Sequence, residues 1–292
     1  MSSTNPVNIN YEQILLDGKV VLITGANTGI GKVTAHSLAY SGATVYLACR
    51  SADKTLPVIE EIKAATGNDN IHFLHLDLAS LDSVRSCVAD FQKLNVKIDL
   101  LINNAGLAGV QGQTKDGFEM TFGVNHLGPF LLTNLLLPSV NDGGRIVLVS
   151  SRSHYRSGPI NYALQLEPTK SITGMDEYQT SKLANTLHSK FLSKKLASRR
   201  ITTYALHPGV VATEVWRGLP FLLQWVVKKF MLTVEQGAET TVYCATAHQA
   251  ASESGLYYDT CTVRTESTLV TDEAAEELWN KSEEWVQAKN RT

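Results

Sequence analysis

The chain has 292 residues, of which 43% are hydrophobic and 18% charged, and its formal net charge is −2. These values are ordinary for a globular protein with its own core. They exclude the excess positive charge that draws proteins to nucleic acid without sequence preference. The four cysteines, Cys49, Cys87, Cys244 and Cys261, are scattered and form no Cys-x-x-Cys pair. This usage predicts a reducing, cytoplasmic setting.

The N-terminal residues 1–17 are polar, and Pro6 and several asparagines interrupt any apolar run. They suit neither a signal peptide nor a membrane span, so a short surface arm is expected. The remainder, 18–292, shows no repeat, linker or shift in composition. It is therefore predicted to form a single domain.

The first predicted elements are a strand, a tight turn and a helix. The aliphatic run Val20–Thr24 is followed by Gly25, Gly29 and Gly31, and a helical pattern begins at Lys32. Glycine tolerates positive φ and lets a ligand approach the main chain, while the free N–H groups of a helix start attract anions. The pattern predicts a cradle for a pyrophosphate, although its Gly-x-x-x-Gly-x-Gly spacing differs from the common Gly-x-Gly-x-x-Gly fingerprint.

Predicted strands and helices alternate along the rest of the chain. The further strands are Thr44–Cys49, Ile71–Leu76, Asp99–Ile102, Arg145–Ser150, Ile201–Leu206 and Leu256–Tyr258. The further helices are Leu56–Ala65, Asp82–Leu94, Phe118–Leu137, Tyr178–Ala197, Val234–His248 and Asp272–Ala288. Such alternation favours right-handed crossovers. It predicts an α/β fold: one doubly wound Rossmann domain with a mostly parallel, about seven-stranded sheet flanked by helices.

In such a sheet the ligand binds beyond the carboxyl ends of the strands. Applied to this chain, the rule gathers residues from six separate strands at one edge. They are Gly25–Gly31, Arg50, Asp77, Asn104–Gly106, the pair Ser150 and Ser151, and His207–Thr213. Their convergence predicts a binding site more strongly than the glycine turn does alone.

Tyr178 and Lys182 lie four residues apart at a predicted helix start, so their side chains share one face. A free phenol, with a pKa near 10, is a poor base at neutral pH. Lowering that pKa by about 3 units needs roughly 4 kcal/mol, which one unit charge at ~4 Å supplies at an effective dielectric constant of about 20. The spacing therefore predicts that Lys182 alone is enough to activate the Tyr178 phenol.

Several short motifs occur in the order typical of one enzyme family. They are Thr24-Gly-x-x-x-Gly-x-Gly31, Asn103-Asn-Ala-Gly106, Asn125, Ser150-Ser151, Tyr178-x-x-x-Lys182 and Pro208-Gly-x-x-x-Thr213. From about Gly18 to Tyr258 the chain resembles the short-chain dehydrogenase/reductases. The segments Ala48–Arg50, Val124–Gly128, Ser181–Asn185 and His207–Val210, with the 27 positions from Ser151 to Tyr178, resemble the retinol dehydrogenase branch.

The resemblance implies a role for each matched residue. Tyr178 would be the general acid or base, and Lys182 would lower its pKa and bond the nicotinamide ribose. Ser151 would hold the substrate oxygen, and Asn125 would anchor a water relay behind Lys182. The implied cofactor-binding residues are Gly25, Asn27, Thr28, Gly29, Ile30, Gly31, Arg50, Lys54, Asp77, Leu78, Asn104, Ala105, Gly106, Tyr178, Lys182, Pro208, Gly209, Val211 and Thr213.

The residues after the second strand indicate which dinucleotide binds. A ribose 2′-hydroxyl is held by an acidic residue at this place, whereas a 2′-phosphate needs positive charge. Here the strand ends at Arg50, Lys54 follows one turn later, and the first carboxylate is Asp53. Arginine grips phosphate with a planar fork and lysine adds a point charge. NADP(H) is therefore the predicted cofactor.

Two segments are predicted to line the substrate pocket, 152–177 and 213–232. The second is rich in large apolar residues, which favours a lid over a lipophilic substrate. Two alternatives stay open: packing as core or as a dimer surface, and peripheral membrane contact through 216–232. Interrupted by Arg217, Pro220 and two lysines, the segment is a poor transmembrane span.

The predicted function is NADP(H)-dependent interconversion of an alcohol and an aldehyde or ketone on a lipophilic small molecule. The alternative is a catalytically silent scaffold or sensor that binds NADP(H). No metal is expected, because the eight histidines show no ligand spacing. No nucleic-acid partner is expected, and a homodimer or homotetramer rests on family analogy alone.

Overall fold

Buried apolar runs form one sheet in the computed structural model, which describes residues 15–209 and 233–289. The strands are β1 (Val20–Thr24), β2 (Thr44–Cys49), β3 (Ile71–His75), β4 (Ile98–Asn103), β5 (Val140–Val149), β6 (Thr202–His207), β7 (Leu256–Asp259) and β8 (Thr262–Arg264). Within the described residues their order is β3-β2-β1-β4-β5-β6-β7-β8. Strands β1 to β7 pair in parallel, and β8 pairs antiparallel with β7.

The prediction of a doubly wound, mostly parallel sheet is confirmed, and the described residues form eight strands where about seven were predicted. The additional strand is β8, which has three residues, all of them exposed. Such a short and polar strand leaves no periodic apolar pattern in the sequence. The division into an arm, 1–17, and a domain, 18–292, stays a prediction.

Helices cover both faces of the sheet. They are α1 (Gly29–Tyr40), α2 (Ala52–Thr66), α3 (Leu81–Lys93), α4 (Met120–Phe122), α5 (Gly128–Leu136), α6 (Met175–Lys195), α7 (Val234–Thr246) and α8 (Asp272–Ala288). One apolar core joins the sheet to α1, α2 and α7. The other joins it to α3, α5, α6 and α8. Two cores on opposite faces are what a doubly wound fold requires.

The predicted helix Phe118–Leu137 is interrupted. Between α4 and α5 the residues Gly123–Leu127 form one wider, π-helical turn, and all of them are buried. A side chain at Gly123 would meet the Thr114 side chain at 2.3 Å, so only glycine fits there. Because π-helical turns re-aim side chains and concentrate at functional sites, the placement of Asn125 in this turn is informative.

Helix α6 begins at Met175, three positions before the predicted start at Tyr178. Gly174 at the N-cap has a φ of +66°, and an added Cβ would lie 3.0 Å from the Gly109 Cα. The left-handed glycine lets the chain enter the helix earlier than the apolar pattern indicates. Tyr178 therefore lies at the end of the first helical turn rather than at the helix start.

Two histidines are buried where α5, α6 and α8 meet. The His126 Nε2 lies 2.9 Å from the Ser282 hydroxyl, and the His188 ring is 5.7 Å from the His126 ring. Within the described residues neither nitrogen of His188 has a hydrogen-bond partner. Burial lowers the pKa of His188 to about 3 and that of His126 well below its ordinary value. Both rings are therefore neutral near neutral pH.

This pair makes the fold sensitive to acid. In the unfolded chain a histidine takes up a proton near pH 6.5, whereas His188 in the folded chain resists it until about pH 3. Between these values the unfolded state binds more protons, so stability falls as the pH is lowered. We expect wild type to lose about 2 kcal/mol more than His188→Leu between pH 7 and pH 5, measured by urea unfolding.

The matched control is His248→Leu, which removes an exposed histidine. It should keep the acid sensitivity of the wild-type chain. The same pH dependence in His188→Leu as in wild type would show that this buried ring does not cause it.

Candidate active site

The carboxyl edge of the sheet brings the predicted residues together. Strands β1, β2, β4 and β5 end at Thr24, Cys49, Asn103 and Val149. The residues that follow them directly are the glycine turn, Arg50, the 104–106 segment and the two serines. Because neighbouring parallel strands end at one edge, these groups line a single crevice.

The glycine turn packs directly against the segment that follows β4. Gly25 has a φ of +65°, and a Cβ on it would lie 2.9 Å from the Ala105 Cβ. A Cβ on Gly31 would lie 2.4 Å from the Asn104 Nδ2. The Thr24 hydroxyl accepts hydrogen bonds from the backbone N–H groups of Asn104 (3.1 Å) and Ala105 (3.0 Å). Both positions thus require glycine, because a side chain would collide with Asn104 or Ala105.

The start of α1 has free backbone donors. Its N-cap residue, Thr28, makes no side-chain cap, and no acidic residue lies in the first turn. By contrast, Ser51 and Ser80 cap α2 and α3 with their hydroxyl groups. The first N–H groups of α1, at Gly29–Gly31, are therefore left for an anion, as a pyrophosphate site requires. Asn27 and Ile30 are half-buried beside them.

Two basic residues follow β2. Arg50 follows the strand directly, and Lys54 lies in the first turn of α2. Both are exposed, as is Asp53 between them. Within residues 15–209 and 233–289, neither cation forms an ion pair under 4 Å with a carboxylate. A basic pair with no acidic partner beside the turn fits a 2′-phosphate better than a 2′-hydroxyl.

Asp77 and Leu78 follow β3 at the same edge. One oxygen of the Asp77 carboxylate accepts from the Ala79 N–H (3.1 Å), and the other pairs with Lys115 (3.3 Å). The Leu78 side chain is buried against Gly128. The Asp77 carboxylate and the Leu78 side chain thus both have partners within the protein. An adenine at this place would therefore lie beside the backbone of these two residues.

Tyr178, Lys182 and Ser151 meet across α6 and the end of β5. The Lys182 ammonium donates to the Val149 carbonyl oxygen at 2.9 Å and lies 5.5 Å from the centre of the Tyr178 ring. The Ser151 hydroxyl is near enough to lower the pKa of the Tyr178 phenol, and it donates to the Ser153 hydroxyl at 3.2 Å. Lys182 is 3% exposed and Ser151 7%. Proton donors of three kinds thus surround one small volume.

Burial dominates the electrostatics of this group. It raises the pKa of the Tyr178 phenol, and the nearby Ser151 hydroxyl lowers that pKa by a smaller amount. It also lowers the pKa of Lys182 to about 8. The prediction that Lys182 alone lowers the pKa of the phenol is wrong for the protein by itself. The reason is that desolvation is the largest influence on the pKa of both groups and outweighs the effect of the ammonium charge on the phenol.

Asn125 is held firmly behind Lys182. Its Oδ1 accepts from the Leu107 N–H (2.7 Å), and its Nδ2 donates to the Leu107 carbonyl (2.9 Å) and the Ser181 hydroxyl (2.9 Å). A Cβ added to Gly106 would lie 3.4 Å from both the Asn125 Oδ1 and the Lys182 Nζ. Asn125, Gly106 and Lys182 are therefore neighbours, as the resemblance implies.

The Ser150 hydroxyl is used inside the fold. It donates to the Lys182 carbonyl oxygen at 2.7 Å and lies 2.9 Å from the Thr186 hydroxyl. The Ser151 hydroxyl, one residue later, is the one that lowers the pKa of the Tyr178 phenol. This arrangement supports Ser151 over Ser150 as the residue that holds a substrate oxygen.

Part of the predicted site lies outside the described residues. Pro208 and Gly209 end the first described stretch, and Gly209 has a φ of +90°. Val211, Thr213 and the whole segment 213–232, including its predicted membrane-contact part 216–232, fall in the gap. Their roles stay predictions.

Two polar residues beside the site are not among the residues predicted from the sequence. Arg152 follows Ser151, and its guanidinium forms an ion pair with Asp259 at the end of β7. The only signal in the sequence was the place of Asp259, since β7 ends at the same edge as the other functional strands. Nothing in the local pattern links it to a residue 107 positions earlier.

Among residues 15–209 and 233–289, no helix is both long and apolar enough to cross a bilayer. In the same residues, no three histidine, cysteine or acidic side chains are grouped as metal ligands.

Comparison with known proteins gives a consistent result. A family model described as short chain dehydrogenase matches residues 19–164. Mouse retinol dehydrogenase 11 is 42% identical over 276 residues, covering 92% of this chain and 86% of the relative. Human retinol dehydrogenase 12 is 42% identical over 279 residues, with the same coverage of both chains.

Solved structures agree with this result. An uncharacterised protein from Mycobacterium paratuberculosis has 30% identity and a TM-score of 0.76, covering 95% of this chain and 97% of its own. A short chain dehydrogenase from Burkholderia cenocepacia, solved in complex with NADP, has 26% identity and a TM-score of 0.68. That match covers 84% of this chain and 96% of the other.

Proposed function

The chain belongs to the short-chain dehydrogenase family, and on this premise we propose that it uses NADP(H) to interconvert an alcohol and an aldehyde or ketone. The meeting of Tyr178, Lys182 and Ser151 at the carboxyl edge of the sheet carries the proposal. Retinol dehydrogenases, the relatives found at about 40% identity, are named for this chemistry.

Each protein group has a defined task in carbonyl reduction. The Tyr178 phenol donates a proton to the carbonyl oxygen, and the Ser151 hydroxyl donates a hydrogen bond to the same atom. Both stabilise the negative charge that develops on oxygen. Lys182, with a pKa of about 8, is largely protonated at neutral pH and keeps a positive charge beside the phenol. When bound, the dinucleotide supplies the hydride.

The cofactor is held by groups already arranged for it. The N–H groups at the start of α1 bind the pyrophosphate. Gly25 packs against Ala105 and has no side chain that could block the approach of the pyrophosphate. Arg50 and Lys54 bind the 2′-phosphate. The structure of the Burkholderia cenocepacia protein, solved with NADP, supports this cofactor.

A lipophilic substrate is supported by two observations. Retinol is a long apolar alcohol, and enzymes named for it are among the relatives. In addition, the segment 152–177 exposes three large aliphatic side chains, Leu164, Leu166 and Ile172, and the aromatic side chain of Tyr155. Apolar side chains grouped in one exposed segment are typical of an interaction surface. We also propose that 213–232 closes the pocket as a lid.

The setting and assembly of the protein are further proposals. All four cysteines are unpaired and buried, which supports a reducing compartment such as the cytosol. A homodimer or homotetramer is proposed by analogy with the family alone. Peripheral membrane contact through 216–232 is kept as an alternative to a lid.

An assay with apolar carbonyl compounds tests the function. We expect the purified chain to oxidise NADPH in the presence of all-trans-retinal or nonanal, followed by the loss of absorbance at 340 nm. NADH at the same concentration should support a much lower rate, because it has no 2′-phosphate for Arg50. Tight NADPH binding without turnover of any aldehyde or ketone in a broad panel would contradict the proposed function and favour a silent binding protein.

A further inference from the structure

The residue proposed to hold the substrate oxygen begins a tight turn. The Ser151 hydroxyl accepts from the Ser153 N–H at 3.1 Å and so caps the short 3₁₀ turn Arg152–Arg156. The Ser151 carbonyl oxygen accepts from the His154 N–H at 3.1 Å and from the His154 Nδ1 at 2.7 Å. The position of Ser151 thus depends on where this turn is held.

Three side chains of the turn reach the same distant segment. Arg152 donates to both oxygens of Asp259, from Nε at 2.5 Å and from Nη2 at 3.0 Å. The Tyr155 hydroxyl donates to the Thr265 carbonyl at 2.5 Å, and the His154 Nε2 accepts from the Ser267 N–H at 3.2 Å. Since that N–H is a donor, the His154 proton sits on Nδ1, in agreement with the bond to Ser151.

The link between Arg152 and Asp259 differs from an ordinary surface ion pair. It is bidentate, with the planar guanidinium fork matched to the carboxylate. The Asp259 side chain is only 10% exposed and projects from the end of β7, where its register partner is His207 on β6. One end of the pair is therefore fixed in the sheet, while the other is covalently next to Ser151.

We propose that Arg152 and Asp259 are positioning residues for Ser151, because their ion pair fixes the turn beginning at Ser151 against β7. The pair thereby sets the distance between the Ser151 hydroxyl and the Tyr178 phenol. Neither residue touches the reacting atoms. The proposal rests on the proposed function, since it assigns the pair to the geometry of the same carbonyl site.

The test compares Asp259→Asn with wild type in NADPH-dependent reduction of nonanal. The variant keeps the shape of the side chain and removes its charge. We expect kcat to fall about ten- to a hundredfold, the cost of a small displacement of a reacting group. The KM for nonanal and the Kd for NADPH should each stay within about threefold, because the loss concerns the transition state. Stopped-flow rates and NADPH fluorescence titration measure the three quantities.

Two companion variants show whether the ion pair is the cause. Arg152→Gln should give the same fall in kcat, and the double variant should fall no further, because partners in one interaction are not additive. Arg152→Lys keeps the charge and loses the fork, so it should recover part of the rate. Asp142→Asn is the matched control: it breaks the 2.8 Å ion pair of Arg199 with Asp142, at the start of β5, and should leave kcat unchanged.

Wild-type kcat in both single variants would overturn the proposal. So would a fall in kcat accompanied by an equal loss of NADPH affinity and melting temperature, which indicates a general structural role. If Asp259→Asn does not fold, Arg152→Gln decides, and an unchanged rate there overturns the proposal. The failure of the proposed function is seen separately, because the wild-type chain itself would then reduce no aldehyde or ketone.

Discussion

Replacing Tyr178 with phenylalanine is expected to lower kcat for aldehyde reduction by about a thousandfold. The change removes the hydroxyl that donates the proton and keeps the ring, and general acid catalysis contributes roughly 10²–10⁴-fold. The Ser151 hydroxyl and the Lys182 charge remain, so residual catalysis is expected. The Kd for NADPH should change by less than about threefold, because the phosphate contacts lie elsewhere. Steady-state kinetics with NADPH and nonanal measure the effect.

The control for this variant is Tyr257→Phe. Tyr257 is buried on β7, and within the described residues its hydroxyl has no hydrogen-bond partner. Removing that hydroxyl deletes the same atom from the same part of the fold and should leave kcat near that of wild type. If Tyr178→Phe turned over at the wild-type rate, the assignment of the acid would be wrong. If both variants were equally impaired, the effect would not be specific to Tyr178.

The protonation state of the phenol bears on the direction of the reaction. In the protein alone, burial raises the pKa of Tyr178, so the phenol is protonated at neutral pH. A protonated phenol is a proton donor, which carbonyl reduction requires, whereas alcohol oxidation requires the phenolate. Lys182 carries a positive charge at the same pH and favours the phenolate once the proton has left. In the protein alone the phenol is thus in the form that donates a proton.

The sequence predicts the fold correctly where a strand is buried on both faces of the sheet, because such a strand is a continuous run of apolar residues. Strand β2, Thr44–Cys49, was predicted to the residue because a parallel strand covered on both sides is a continuous apolar run. Strand β8 was missed because all three of its residues are exposed. The early start of α6 depends on the left-handed Gly174 packing on Gly109, a contact between distant segments that no local pattern encodes.

The site shows the same division between local and distant information. The glycine turn and the pair Tyr178 and Lys182 are short motifs, so the sequence could indicate them. The ion pair of Arg152 with Asp259 joins two residues 107 positions apart, and only the fold brings them together. The raised pKa of Tyr178 could not be predicted from the sequence either, because it results from burial in the folded chain and not from one neighbouring charge.

Arg50 is the residue on which the choice of dinucleotide depends. It is exposed and directly follows β2, and no described carboxylate within 4 Å neutralises it. A guanidinium that grips a phosphate contributes about 1.5–3 kcal/mol through charged hydrogen bonds, and exposure to solvent reduces that value. Arg50→Ala should therefore raise the Kd for NADPH about tenfold. The Kd for NADH, which has a hydroxyl in place of the phosphate, should change less than about twofold.

Fluorescence titrations with NADPH and with NADH measure the two Kd values. Repeating them at several salt concentrations gives a second test of the Arg50 contact. In wild type, the preference for NADPH should decrease as ionic strength rises, because the contact is partly screened. In Arg50→Ala most of that salt dependence should be lost, with the remainder due to Lys54. Arg200→Ala removes another exposed arginine, just before β6 at the opposite edge of the sheet, and should alter neither Kd. Equal weakening of NADPH and NADH by Arg50→Ala would remove Arg50 from the phosphate site and leave the cofactor preference to other residues.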